Sequence, residues 1–241
     1  MFHNKKAVIL FCFFLMTFVL VDAQVFKGEL IGGVNLSQVE GDFENGYRKV
    51  GAHAGVGVMF PFSFKKNNEK KPWSFSMEIL LNQKGARKKN YYSIYNIDSV
   101  NAKFKYLLKL DYVSIPFLLH YTDKERWSFG LGFAYNRMFR VAEYEYDQLQ
   151  TYDSVERFNP SDFTVMLDVR ARIWQQLKFG FRFEYSMFSL RTRHYNGTEY
   201  HAAGTRKHYN NSLTFYLVYM LNEKKTEKAK KKEKLEKPYY Y

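Results

Sequence analysis

From Trp73 onward, bulky apolar side chains occupy every second position: Trp73, Phe75, Met77, Ile79 and Leu81 alternate with Ser74, Ser76, Glu78, Leu80 and Asn82. A period of two is the mark of a strand whose two faces meet different surroundings. The pattern recurs at Trp127, Phe129, Leu131, Phe133 and Tyr135, and at Phe163, Val165, Leu167, Val169, Ala171 and Ile173. It returns at Leu177, Phe179, Phe181, Phe183 and Tyr185, and at Leu213, Phe215, Leu217, Tyr219 and Leu221. Three less regular stretches, 25–36, 50–60 and 104–121, bring the predicted total to eight strands. In the last of these the apolar phase changes from Leu108, Leu110 and Tyr112 to Val113, Ile115, Phe117 and Leu119, which predicts a bulge within 112–114.

Volume decides which face points outward. Eight strands with about five large apolar groups each carry roughly 40 such groups, whereas the interior of an eight-stranded barrel holds about three layers of four side chains. The apolar face is therefore predicted to be the exterior. A soluble monomer does not expose that much apolar surface, so the surrounding medium is lipid. The same alternation explains how aromatic residues can make up 19% of the chain while its mean hydropathy is only −0.45. The expected fold is all-β: an eight-stranded antiparallel transmembrane barrel with an apolar exterior, short periplasmic turns and long extracellular loops. A soluble ligand-binding barrel would need the bulky face inside, and the volume count opposes it.

The ends of the chain fit an exported barrel. Lys5 and Lys6 precede an apolar run from Ala7 to Val21, and Val21-Asp22-Ala23 reads as a signal-peptidase site, so cleavage after Ala23 is expected. A run of that length falls short of the roughly 20 residues a spanning helix needs. Residues 1–23 are thus assigned to a signal peptide, 24–222 to the barrel and 223–241 to a basic periplasmic tail. The tail holds eight Lys and four Glu, with almost no apolar groups to bury, and is expected to be solvated and disordered. Cys12, the only cysteine, lies in the signal, so neither a disulfide nor a cysteine-bound metal can staple the mature chain.

With the N-terminus in the periplasm, turns fall near 122–126 and 175–176, and external loops near 86–103, 142–160 and 190–209. The segment 61–72 departs from this scheme, being a long periplasmic connection that carries Lys65, Lys66, Lys70 and Lys71. Trp73, Trp127 and Trp174 all fall at periplasmic strand ends, where an indole favours the membrane interface.

The predicted lumen receives Glu78, Lys84, Lys109, Asp111, Asp168, Arg170, Arg172, Lys178, Arg182 and Glu184. Side chains of opposite sign in a narrow interior read as a structural ion-pair network, because an unpaired buried charge is costly. Their surplus of two positive charges also fits a narrow small-solute channel, the porin alternative. His120 beside a serine such as Ser114 would suit an outer-membrane hydrolase acting on lipid, but neither serine nor histidine stands in a nucleophile motif, and no catalytic residue is assigned. His194, His201 and His208 recur at intervals of seven, a spacing that brings no pair together on one turn, so no metal and no cofactor is expected. Nucleic acid is not an expected partner, since the tail is exported and lacks interleaved aromatics. The expected partners are outer-membrane lipid and lipopolysaccharide, together with a cell-envelope or secretion-machinery protein.

Four segments carry a more specific likeness: Gly32-Gly33-Val34-Asn35-Leu36-Ser37, Gly46-Tyr47-Arg48-Lys49-Val50-Gly51, Glu78-Ile79-Leu80-Leu81-Asn82-Gln83-Lys84-Gly85 and Leu110-Asp111-Tyr112-Val113-Ser114-Ile115-Pro116. They resemble the PorT-like outer-membrane β-barrel proteins of the porin superfamily. The chain departs from that family in having Ser114 where an acidic residue is frequent, and in its basic tail. The resemblance implies an integral outer-membrane protein, and some relatives take part in type IX secretion; the residues taken together are read as a non-enzymatic barrel with a structural, adhesion or secretion-associated role. Asp98-Ser99-Val100 and Asp153-Ser154-Val155 are similar to the O-glycosylation signal of bacteria that carry such barrels, which makes Ser99 and Ser154 candidate acceptors.

Overall fold

The computed structural model describes residues 26–41, 46–64, 72–89, 104–124, 126–150, 158–195 and 203–221. They form ten strands: β1 (Lys27–Glu40), β2 (Lys49–Phe62), β3 (Trp73–Lys89), β4 (Phe104–Asp123), β5 (Trp127–Glu145), β6 (Gln148–Leu149), β7 (Ser161–Arg172), β8 (Leu177–Ser186), β9 (Arg191–Tyr195) and β10 (Gly204–Met220). β6 pairs only with β5, and β9 only with β10. The other eight run in antiparallel order around the sheet, and β1 pairs β10 from Glu29↔Met220 to Glu40↔Tyr209, which closes it into a barrel. Closure removes every sheet edge from the wall and satisfies its backbone internally, as a bilayer requires.

Alternation sorts the side chains as expected. Leu30, Val34, Val56, Phe75, Ile79, Leu81, Phe129, Leu131, Phe133, Leu167 and Leu217 stand exposed on the outside, while Ser76, Glu78, Asn82, Ser114, Asp168, Arg182 and Thr214 are buried inside. The short turns after β4 and β7 lie at the same end as both chain termini of the barrel. Trp73, the first residue of β3, pairs Tyr121 there, and Trp127 pairs Ala171. Phe60, Phe62, Phe64, Trp73 and Tyr121 make a continuous run of ring contacts around this rim, with centroids 5.1 to 6.3 Å apart.

Two expectations are corrected at the opposite end. The strands continue where loops were expected: β3 reaches Lys89, β5 reaches Glu145, and β9 and β10 pair from Gly204↔Tyr195 to His208↔Arg191. The wall is uneven there, because β4 has 20 residues and β8 only 10. The predicted phase change in β4 does not occur either. Leu108, Leu110 and Tyr112 are buried in the barrel in the same phase as Ser114 and Leu118. The bulge lies on the facing strand, where Asp111 pairs Arg140 and Tyr112 pairs Met138, leaving Phe139 as the additional residue.

Candidate functional site

The bulky outward residues leave a lumen lined by small and polar groups, and Tyr216 of β10 fills its centre. The ring is admitted because β8 carries Gly180 opposite it: a Cβ there would come within 2.3 Å of the Tyr216 ring. Around the buried hydroxyl, which donates to Asp168, a dense ion-pair network is assembled. Asp168 accepts from Arg170 Nε at 2.9 Å and Arg182 Nε at 2.7 Å. Glu78 on β3 accepts from Arg170 Nη2 at 2.6 Å and from both terminal nitrogens of Arg182, at 2.8 and 3.0 Å. Arg170 Nη1 reaches Glu29 on β1 at 2.8 Å. Both guanidinium groups also lie over the Tyr216 ring, at 5.7 and 5.1 Å from its centroid. The network therefore ties β1, β3, β7, β8 and β10 together across the barrel rather than along its wall.

Other polar layers flank this centre. Lys84 bonds Glu184, and His53 Nδ1 sits 2.5 Å from Asn82 Oδ1, whose amide donates to Ser114 at 2.8 Å. Ser76 Oγ lies 3.0 Å from His120 Nε2, and His120 Nδ1 lies 3.9 Å from Asp168. A serine, an imidazole and a carboxylate thus stand in a row, and all three are fully buried among protein groups. The serine beside His120 is Ser76, not Ser114.

Above the polar layers, Val39, Ala86, Leu108, Leu110, Tyr112, Met138 and Leu190 form an apolar stopper. Over it lies a second ion pair: Arg191 forks onto Glu143 at 2.7 and 2.9 Å, donates to the Tyr106 hydroxyl at 3.1 Å and to His208 at 3.2 Å, and packs on the Phe158 ring. A strap of backbone hydrogen bonds, Met138 to Pro160, Asn159 to Leu190 and Leu190 to His208, crosses from β5 to β10 over the short strands β7 and β8.

Of the predicted lumen set, Glu78, Lys84, Asp168, Arg170, Lys178, Arg182 and Glu184 are buried inside. Lys109 and Asp111 are not: because the phase of β4 continues through Leu108, Leu110 and Tyr112, the residues between them face outward, where Asp111 meets Arg140 at 3.8 Å. Arg172 sits half-buried at the turn-end rim and donates to the Gln175 carbonyl at 2.5 Å. Sequence reasoning missed Glu29 and Tyr216. Glu29 stands in an irregular first strand beside Gly28, and Tyr216 lies on the polar face of β10, a placement that parity alone could have revealed. Below the Arg191–Glu143 pair the buried interior consequently holds five carboxyl groups, Glu29, Glu78, Asp162, Asp168 and Glu184, against four cations, Lys84, Arg170, Lys178 and Arg182.

The histidines spaced by seven are not gathered. His208 is buried under Arg191, His194 is exposed beside Thr205, and His201 lies outside the described residues. No group of three metal-ligating side chains occurs among the described residues. Ser99, Ser154, the cleavage site after Ala23 and the segments 1–23 and 223–241 also lie outside them.

Comparison with known proteins gives one family and a set of structural neighbours. Among solved structures the chain is similar to the attachment invasion locus protein Ail of Yersinia pestis, with 10% identity, 81% of this chain and 98% of that one covered, and a TM-score of 0.40. It is also similar to Neisserial surface protein A, with 10% identity, 80% and 96% covered and a TM-score of 0.42. A major outer membrane protein from Thermus thermophilus gives 11% identity, 81% and 98% covered, and a TM-score of 0.43. No curated protein matches. The profile of the outer membrane protein beta-barrel domain matches residues 23–191, most of the chain, and the protein belongs to that family of outer-membrane barrels.

Proposed function

We propose that this protein is a non-enzymatic barrel closed to ions, a rigid outer-membrane platform that holds its external strand extensions and loops in place for a structural, adhesion or secretion-associated task. The observation that carries the reading is the filled lumen: an ion-pair network around Tyr216, an apolar stopper and the Arg191–Glu143 pair lie one above another along the axis. Side chains that meet across an eight-stranded barrel leave no continuous column of water. The channel alternative rests on surplus positive charge, and the buried interior, where five carboxyl groups face four cations, takes away that support. The lipid-hydrolase alternative needs a reachable nucleophile, and Ser76 beside His120 is buried.

The likeness of four segments to PorT-like barrels supports the secretion-associated form of this role. The short connections after β4 and β7, set against the long strand extensions at the other end, support an orientation with the short turns in the periplasm and the β3–β4 and β9–β10 extensions outside, and the apolar run ending at Val21-Asp22-Ala23 supports removal of a signal peptide after Ala23. The test is planar-bilayer recording with the purified barrel. Silence at both polarities is expected, and steady single-channel steps from the wild type would overturn the closed-platform reading.

A further inference from the structure

We propose that the outer face of β3–β5, at the external end, is a binding site for a phosphorylated lipid headgroup of the outer leaflet; the inference rests on the membrane orientation given above. It starts from where the apolar band stops. Outward residues of β4 run from Tyr121 through Leu119, Phe117 and Ile115 to Val113, while those of β3 run from Trp73 to Leu81. Such a run, at about 3.3 Å per residue and a tilt of about 40°, climbs roughly 20 Å, which fits the apolar height of an outer-membrane barrel. The next outward positions are polar, Gln83 on β3 and Asp111 on β4.

The register arranges them as three rows. Gln83, Asp111 and Arg140 form the first row, Gly85, Lys109 and Ala142 the second, and Arg87, Leu107 and Tyr144 the third. Lys109 stands exposed in the middle, and its cross-strand partners Gly85 and Ala142 carry no side chain larger than a methyl group. Gly85 is required there by the backbone: its φ is +137°, and a Cβ would come within 2.0 Å of the Leu108 carbonyl oxygen. The bulge at Phe139 turns Arg140 outward, leaving its side chain 67% exposed. Lys49, at the start of β2, lies within electrostatic reach of Lys109, Asp111 and Arg87.

Four cations, Lys49, Arg87, Lys109 and Arg140, thus surround one carboxylate, Asp111. Arg140 meets that carboxylate at 3.8 Å. Lys109 lies 5.3 Å from the centroid of the Tyr144 ring, and Lys49 donates to the Val50 carbonyl at 2.8 Å; neither partner is an anion. A phosphate monoester beside Lys109 would receive charge-assisted hydrogen bonds from Lys109 and Arg140. The acyl chains beneath it would lie along Leu81 and Phe139, which are 56% and 61% exposed. A basic patch bordering an apolar band matches an amphiphile with an anionic head better than it matches a soluble anion.

The test is native mass spectrometry of the folded, full-length mature barrel with bisphosphorylated lipid A and with its dephosphorylated form. The wild type is expected to retain the phosphorylated lipid preferentially, and Lys109→Gln with Arg140→Gln to lose about thirtyfold in that retention. Arg126→Gln, at the turn end, should behave as wild type. Equal retention of both lipids, or of the phosphorylated lipid by wild type and double variant, overturns the site. Displacement by inorganic phosphate at matched concentration overturns the lipid assignment in favour of a free-anion site. Each sample is also scored by heat-modifiable gel mobility. A folded barrel without phosphate preference defeats the site alone, whereas a chain that forms no barrel in lipid or detergent defeats the membrane reading and the site with it.

Discussion

Asp168 shows how strongly a single side chain can be bound into this interior. It receives two guanidinium nitrogens and the Tyr216 hydroxyl while fully buried, so its removal leaves Arg170 and Arg182 next to one another with only Glu78 and Glu29 to balance them. Asp168→Ala should destabilise the barrel by about 3 to 5 kcal/mol, the usual cost of leaving a buried charge without its partner. Tyr216→Phe keeps the ring over both arginines but deletes the hydrogen bond to Asp168 and those accepted from Arg170 and Arg182, so about 1.5 to 3 kcal/mol is expected. Urea unfolding in lipid vesicles measures both, and equal losses for the two variants would show that the carboxylate holds no more than the hydroxyl does. Parity in the sequence placed Asp168, Arg170, Arg182 and Glu78 correctly, because each sits in a strand of regular alternation. It could not show that they converge on Tyr216, since convergence depends on Gly180 across the sheet leaving room for a ring.

At the scale of strands, the outward face was readable wherever alternation was strict. Leu167, midway along β7 and 56% exposed, illustrates it. Leu167→Arg should cost about 2 to 4 kcal/mol if the residue meets lipid near mid-bilayer. Refolding yields and unfolding curves in vesicles check this, and wild-type stability would mean that β7 does not face hydrocarbon there. β4 was harder to read for a physical reason. Its external half turns Leu108, Leu110 and Tyr112 into the apolar stopper, so both faces of the strand become apolar near Tyr112 and the pattern mimics a change of phase. That misreading sent Lys109 and Asp111 to the lumen. The extension of β9 and β10 was equally hidden, because Arg191, Arg193, Arg206 and Lys207 resemble a solvated loop until Arg191 is seen to pair with buried Glu143.

For the whole molecule, export and closure each have a measurable consequence. Protein from the native host should begin at Gln24, and its intact mass should exceed that of the unmodified 24–241 chain if Ser99 or Ser154 carries glycan; agreement with the unmodified mass removes the glycan. Closure calls for a sharper comparison. In the wild type, Asp168 and Glu78 hold Arg170 and Arg182 in contact across the axis. Without the Asp168 carboxylate, two guanidinium groups remain in a low-dielectric space with less than their full complement of anions, and each is stabilised by admitting water and mobile chloride. Asp168→Ala is therefore expected to give brief anion-selective openings in planar bilayers, against silence in the wild type. General loosening of the barrel would produce leak as well, and Leu167→Arg separates the two causes. It weakens the wall from the lipid side by a similar amount while leaving the lumen charges paired, so it should stay silent. Openings in both variants would mean that conductance follows stability alone, and that the ion pairs around Tyr216 brace the wall without sealing it.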